Sequence, residues 1–291
     1  MTPRSPDRAR NAGPPREAGT PACRTALVNR LGKVAHAGLL LASYLKIADD
    51  KKGEAKLNLL KEAILASHNS GGIYAKAFAR WKQHTPECEE RNLTVRGRLV
   101  IGLGTESVLE TGLSLHHTYG TPIIPGTGLK GLASHYCDQV WGSGEQEFRR
   151  KIEFVEGGKK KTRCGKYYET LFGTTEDAGH ILFHDAWILP ESLIGPTRGL
   201  VLDVMTPHHG DYYMTPPELA PAPTDFDDPN PVTFLSVAGD FRVVVGCDAA
   251  DAAGKEWLKL GMRLVTDALA HWGVGGKTNS GYGRLDGGPR R

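Results

Sequence analysis

Residues 273–285 read Gly-Val-Gly-Gly-Lys-Thr-Asn-Ser-Gly-Tyr-Gly-Arg-Leu, a glycine loop, and what stands on either side of it decides the fold. Before it, residues 255–272 place Trp257, Leu260, Leu264, Val265, Ala268, Leu269 and Trp272 on a common side, the period of an amphipathic helix. After it comes a short final strand. Further back, Asn92 to Ile101 alternates as a strand, with Leu93, Val95 and Leu99 among its apolar residues. Residues 180–189 (HILFHDAWIL) read as a second strand, and 232–246 (VTFLSVAGDFRVVVG) as a third, with a break at Gly239. Between the first and second strands, Leu129, Leu132, Ala133, Tyr136 and Val140 form one face of a helix, with Thr127 as its expected N-cap. The order from residue 92 is therefore β-α-β-β-α-β, a ferredoxin-like (RRM-like) α+β arrangement.

The remaining chain divides by composition. Residues 1–23 are rich in Pro, Arg and Gly with almost nothing to bury, and read as a disordered basic tail. Residues 24–90 form a helical N-terminal lobe, with expected helices at 24–47, 54–68 and 73–84, the last two separated at Gly71-Gly72. Its end falls at Thr85-Pro86, since the residue before a proline is pushed out of the α region. The ferredoxin-like domain spans 91–287. Within it, 149–166 reads as a solvated basic connection and about 190–231 as a Gly/Pro-rich insertion, where six prolines between 216 and 231 argue against helix or central strand.

At 291 residues the chain is long enough for a substantial core. Lys+Arg 36 against Asp+Glu 33 gives a net +3, too little to mark a nucleic-acid binder, but the charge is segregated. Residues 149–166 carry eight basic and two acidic side chains, a local +6, whereas 211–231 carry five acidic side chains and no Lys or Arg. Gly 36 plus Pro 18 is 54 of 291, about 19% against a usual ~12%, which excludes a helical bundle or coiled coil. Five cysteines, an odd number without any CxxC, indicate neither a disulfide framework nor a zinc knuckle and fit a reducing cytoplasm. The longest apolar run, Ala37 to Leu45, is far below the ~20 residues of a membrane helix.

Gly273 to Thr278 ends in Gly-Lys-Thr, as a phosphate loop does, but the required first glycine falls on His271, and the segment follows a helix instead of a strand. Nucleotide hydrolysis is thereby set aside. Glycines 273, 275, 276, 281 and 283 still permit close backbone approach to a phosphate, and Lys277 and Arg284 supply charge. The competing reading is a plain structural turn. Ile124-Pro125-Gly126-Thr127-Gly128-Leu129-Lys130-Gly131 sets glycines and a lysine at a helix start, where free N–H groups attract anions; the alternative is tight helix packing with Lys130 solvated. His180 and His184 lie about 13 Å apart on a strand, too far for one metal ion. Leu202 to Tyr213 (LDVMTPHHGDYY) concentrates His208, His209, Tyr212 and Tyr213, side chains able to stack on unpaired bases or to pack the insertion in place.

The helix start IIPGTGLKG, the β-α-β-β-α-β order and the loop GVGGKTNSGYGRL together resemble the RAMP superfamily of CRISPR effector proteins over residues 92–286. The segments LDVMTPHHGDYY and PNPVTFLSV look like the sixth-subunit family of the type III-B Cmr complex. The resemblance implies a non-catalytic RNA-binding subunit at the filament end, near the 3′ part of the guide RNA. Its implied partners are guide RNA, target RNA, the backbone RAMP subunit and the other end-capping subunit, with no cofactor and no metal. RNA contacts are expected at Gly126, Thr127, Gly128, Lys130, His208, His209, Tyr212, Tyr213, Gly275, Gly276, Lys277, Thr278, Asn279, Ser280, Gly281, Tyr282 and Arg284. Two departures matter. The RNA-cutting subunits of the superfamily carry an Asp in the loop after the first strand, and 102–126 contains none; Gly128 stands where the family more often has Ser, so backbone N–H groups are expected to carry any phosphate contact there. Two rival readings are an endoribonuclease processing guide precursor with His36, His208 and His209 as acid and base, and a pure protein-protein adaptor.

Overall fold

The computed structural model describes residues 34, 36–45, 53–85, 87–105, 107, 109, 111–195, 197–206, 209–224, 227, 229 and 231–287. The expected basic tail, the first part of the expected 24–47 helix, and His208 lie outside the described residues. In chain order the elements are α1 (Ala37–Ser43), α2 (Glu54–Asn69), α3 (Gly71–Gln83), β1 (Glu89–Arg96), β2 (Ile123–Ile124), α4 (Gly126–Tyr136), β3 (Ile152–Glu156) and β4 (Lys159–Arg163). Then follow α5 (Lys166–Phe172), β5 (Ile181–Phe183), β6 (Ala186–Ile188), β7 (Gly199–Met205), α6 (Gly210–Met214), β8 (Val232–Ala238), β9 (Asp240–Cys247), α7 (Ala252–His271) and β10 (Arg284–Asp286).

The main antiparallel sheet runs β10-β1-β9-β6-β2, with β5 also on β9. Leu93 pairs with Phe241 and Val95 with Leu285, so the first, third and last strands of the expected series are adjacent. The expected strand 180–189 is present as two halves. Phe183 pairs with Val245 and Trp187 with Arg242, which puts four steps opposite three, a one-residue bulge at His184-Asp185. The burial pattern of β9 is almost unbroken because helices cover both faces, the condition under which a strand reads as a continuous apolar run. On one face α7 lies so close that a β-carbon on Gly261 would stand 3.1 Å from Ile181 Cγ2. Helix α7 buries Leu258, Met262, Leu264, Val265, Ala268 and Leu269, at about 1.5–3 kcal/mol for each large apolar side chain. It starts three residues earlier than the apolar period indicates, because the Asp251 carboxylate caps it by accepting from Gly254 N–H at 2.7 Å.

On the other face sits an aromatic cluster from α3 and the 116–119 turn. Trp81 stacks on Trp187 at 4.8 Å and 8°, Tyr74 stacks on Trp187 at 5.8 Å, and Tyr74 Oη donates to Ile188 O at 2.6 Å. Arg242, 2% exposed, lies over Trp81 at 4.5 Å and donates to Glu90 and Thr85.

Four local expectations are corrected. The first strand ends at Arg96, where Gly97 (φ +74) turns the chain, and Leu99 instead bridges Val237 of a second sheet. That second sheet is β7 paired along its length with β8, so the 190–231 insertion contains a strand that its prolines concealed; they lie in the connection between β7 and β8. The 149–166 stretch is a hairpin, β3 on β4, in place of an irregular connection. Helix α4 starts at Gly126 with Pro125 in the capping position, so Thr127 is inside the helix and not its N-cap.

Candidate nucleic-acid interface

The loop from α7 to β10 is built on glycines because the backbone is threaded against its neighbours. A β-carbon at Gly275 (φ +89) would meet Val100 O at 2.2 Å, and one at Gly283 (φ +76) would meet Val274 O at 2.0 Å. Gly276 N–H donates to Val100 O, Gly283 N–H to Arg98 O, Val274 N–H to Gly283 O, and Tyr282 N–H to Lys277 O. Among the described residues, the N–H groups of Gly275, Lys277, Thr278 and Asn279 have no acceptor. Lys277 is in the left-handed region (φ 59, ψ 29) and opens the 3-10 turn Thr278–Ser280. Successive unpaired N–H groups around such a residue form the concave nest that binds anions. A left-handed non-glycine residue is costly enough to point to function.

The helix start contributes differently from expectation. Gly126 N–H donates to Asp185 Oδ1 at 2.7 Å, and the N–H groups of Gly128 and Leu129 point to Pro125 O at 2.9 and 3.1 Å. The Asp185 carboxylate takes the Gly126 N–H at the positive end of α4, so a phosphate there would meet a negative charge already in place. Gly126 is needed for packing, since its β-carbon would stand 2.2 Å from Phe183 O. Gly128 and Gly131 instead form a wall of a cleft of about 630 Å³ whose other side is Gly273, Val274, Gly275, Thr278 and Asn279, with Arg284 at its edge. A β-carbon at Gly128 would be 4.0 Å from Val274 Cγ2, so the two glycine segments, far apart in sequence, touch.

His135, His271 and Trp272 also line this cleft. His271 Nδ1 is 2.7 Å from Tyr136 Oη, and His135 meets Trp272 edge to face at 5.0 Å. Sequence reading missed both imidazoles. The signal was present: Gly128, Gly131, Leu132 and His135 recur at i, i+3, i+4, i+7, one face of a helix.

Of the remaining candidates, Thr127 and Lys130 are exposed without lining the cleft, and Gly276, Lys277, Ser280, Gly281 and Tyr282 belong to the same loop, beside the residues that line it. Tyr282 is anchored, its hydroxyl donating to Asp203 Oδ2 at 2.8 Å; burial and then the hydrogen bond to Asp203 raise its pKa. His209, Tyr212 and Tyr213 are outside the cleft, in the β7–β8 connection. His209 (φ 62) pairs through Nδ1 with Asp227 Oδ2 at 2.6 Å, and this contact, with Thr224, holds the Asp227 carboxyl down at about 2. Tyr213 is 75% exposed. His36 lies elsewhere, capping α1 by accepting from Leu39 N–H and contacting His117 O at 2.8 Å. It borders a second cavity, about 710 Å³, whose wall mixes leucines with His116 and His117. Among the described residues no three His, Cys, Asp or Glu side chains gather as metal ligands would, and no helix is long and apolar enough to cross a membrane.

Residues 92–286 match the RAMP superfamily model. The CRISPR system Cmr subunit Cmr6 of Pyrococcus furiosus is 33% identical, over 80% of this chain and 82% of that protein. The crystal structure of Cmr6 from Pyrococcus furiosus is 30% identical and covers 69% of this chain and 98% of its own, with a TM-score of 0.41. The type III-B Cmr-beta bound to cognate target RNA, solved by cryo-EM, contains a chain 18% identical with a TM-score of 0.54, covering 91% of this chain and 88% of its own; that likeness is one of fold.

Proposed function

The chain belongs to the RAMP superfamily and, within it, to the Cmr6 family, and from that premise we propose that it is a non-catalytic RNA-binding subunit of a type III-B Cmr effector complex. The strand order β10-β1-β9-β6 is read as ferredoxin-like. The guide RNA backbone runs through the glycine cleft, at the filament end near the guide's 3′ part, with target RNA, the backbone RAMP subunit and the other end-capping subunit as neighbours. One observation carries this reading: Gly128 of α4 and Val274 of the glycine loop meet at a cleft edged by unpaired N–H groups and Arg284. Main-chain donors and a guanidinium grip phosphates without reading bases, as a subunit serving variable guides requires. His135, His271 and Trp272 offer ring surfaces to bases beside the backbone track.

The test is guide retention by the assembled complex carrying Lys277→Glu and Arg284→Glu. Retention should fall at least tenfold and lose part of its salt dependence. Unchanged retention overturns the assignment of the cleft, and Lys130→Glu, exposed and off the cleft, is expected to do less.

A second reading has one observation in its favour. A carboxylate holds the His209 imidazole at 2.6 Å, as an orienting acid holds a general base. Metal-free incubation of the protein with repeat RNA decides it: specific cleavage that disappears in His209→Ala favours an endoribonuclease.

A further inference from the structure

The β3–β4 hairpin is a bare arm. From Glu153 to Arg163 every residue is exposed on both faces of the ribbon, and Phe154 and Val155 are exposed at 37% and 69%. Two-stranded ribbons that pack against nothing are marginal in water, yet this one is firmly built. Gly157 (φ +58) and Gly158 (φ +73) make the two-residue turn that matches strand twist. At the base, Glu147 accepts both terminal nitrogens of Arg163 and also Lys166 N–H at 2.8 Å. Arg149 Nε donates to Gly142 O at 2.8 Å, and Arg150 N–H to Asp138 Oδ1 at 2.8 Å. The Arg163 guanidinium and then the Lys166 N–H hold the Glu147 carboxyl at about 2, so the anchor stays charged at any physiological pH.

The arm's charge is not neutralised internally. Lys151 pairs with Glu153, Lys161 with Glu156 and Arg163 with Glu147. Among the described residues the side chains of Arg150, Lys159, Lys160 and Lys166 have no carboxylate within ion-pair distance. The register sets Phe154 opposite Lys161 and Glu156 opposite Lys159 on one face, and Val155 opposite Lys160 on the other, so each face carries an apolar side chain beside a lysine.

We propose that the β3–β4 arm is a second RNA-binding element that lies in a groove of the RNA, with Lys159 on one face and Lys160 on the other reaching phosphates on the two sides and Phe154, on the Lys159 face, against a base or ribose. It rests on the reading that this chain works on RNA and adds a contact outside the glycine cleft. An RNA backbone suits the arm better than a protein does. Protein interfaces are depleted in lysine and need about 800 Å² per partner around an apolar centre, whereas this ribbon, some 17 Å of strand, offers only Ile152, Phe154 and Val155 as apolar side chains, the first of them half-buried. Lysines on a narrow twisted ribbon can instead follow a groove or a single strand.

The experiment measures binding of the purified full-length protein to a labelled oligoribonucleotide of arbitrary sequence, by fluorescence anisotropy across a salt series. Lys159→Glu/Lys160→Glu should weaken binding tenfold or more at low salt and lower the log-log salt slope by about 1.4, two phosphates at roughly 0.7 each. Lys61→Glu/Lys76→Glu, the same charge change on exposed positions of α2 and α3, should shift affinity by less than threefold. Equal effects from the two pairs overturn the proposal, as does unchanged RNA affinity together with lost binding of polyglutamate, which would make the arm a dock for an acidic protein. Arg284→Glu in the same assay keeps the two readings apart: loss there with an unaffected arm variant sinks the arm alone, while RNA affinity unchanged in both variants sinks the arm and the glycine cleft alike.

Discussion

The Tyr282 hydroxyl donates a 2.8 Å hydrogen bond to Asp203 Oδ2, and through this one contact the glycine loop is fastened to β7 of the second sheet. The loop therefore has two attachments. Its ends are held by Arg98 O and Val100 O of the segment after β1, and its far side is tied to the strand that leads into the β7–β8 connection. The cleft and the β7–β8 connection are thus linked through a side chain that sequence reading assigned to RNA.

If that tie is mechanical, Tyr282→Phe and Asp203→Asn should each lower stability by about 0.5–1.5 kcal/mol, the usual net worth of a side-chain hydrogen bond. The double variant should cost less than the sum of the two. Urea unfolding of the four proteins measures the coupling; full additivity would mean the contact contributes nothing.

The loop's glycines should differ sharply in tolerance. Gly283→Ala forces a β-carbon against Val274 O, and Gly275→Ala forces one against Val100 O, at positive φ in both cases. Each should cost at least 2–3 kcal/mol or prevent folding. Gly281→Ala, also at positive φ (+86) but with open space around it, should cost only about 1 kcal/mol. Gly128→Ser should be nearly neutral, since its β-carbon meets Val274 at an ordinary contact distance of 4.0 Å. Thermal unfolding of the four variants ranks them.

Arg242 should prove replaceable by shape better than by charge. Its guanidinium is sandwiched between Trp81 and Glu90, and its Nη1 is buried without a hydrogen-bond partner among the described residues. Arg242→Ala should cost about 2–3 kcal/mol, less than a fully buried pair because Glu90 keeps a 41% exposed side chain and can rehydrate. Arg242→Met, which refills the space under Trp81, should lose under about 1.5 kcal/mol. Chemical denaturation compares them.

The basic arm should loosen in acid before the core does. Glu147 is depressed from 4.5 to about 2, chiefly by Arg163 and then by the Lys166 N–H. A depressed carboxyl contributes stability that is fully present above its unfolded value of 4.5 and is lost as pH falls toward 2. Amide chemical shifts of residues 152–163 should drift toward random-coil values across that window. In Glu147→Gln they should be displaced already at pH 7 and change little with acid.

The periodic elements were legible because their signals are local. Helix α7, α4 and strand β1 each show a 3.6 or 2.0 residue apolar period, and β9 a continuous apolar run, that one window of sequence contains. The hairpin at 149–166 and strand β7 escaped for the same reason inverted. An arm that buries nothing has no apolar alternation to show, and β7 is specified by its pairing with β8, more than twenty residues downstream.

For the site, the sequence by itself determined which segments are glycine-rich and where positive charge collects, since backbone freedom and charge belong to the residues themselves. Only the tertiary structure decided which donors remain available. Asp185, more than fifty positions away, takes the N–H of Gly126, and Val100 O takes that of Gly276, while Gly275, Lys277, Thr278 and Asn279 keep theirs. Whether an N–H group can bind a phosphate depends on what else lies within 3 Å of it, and that is fixed by how distant parts of the chain pack together.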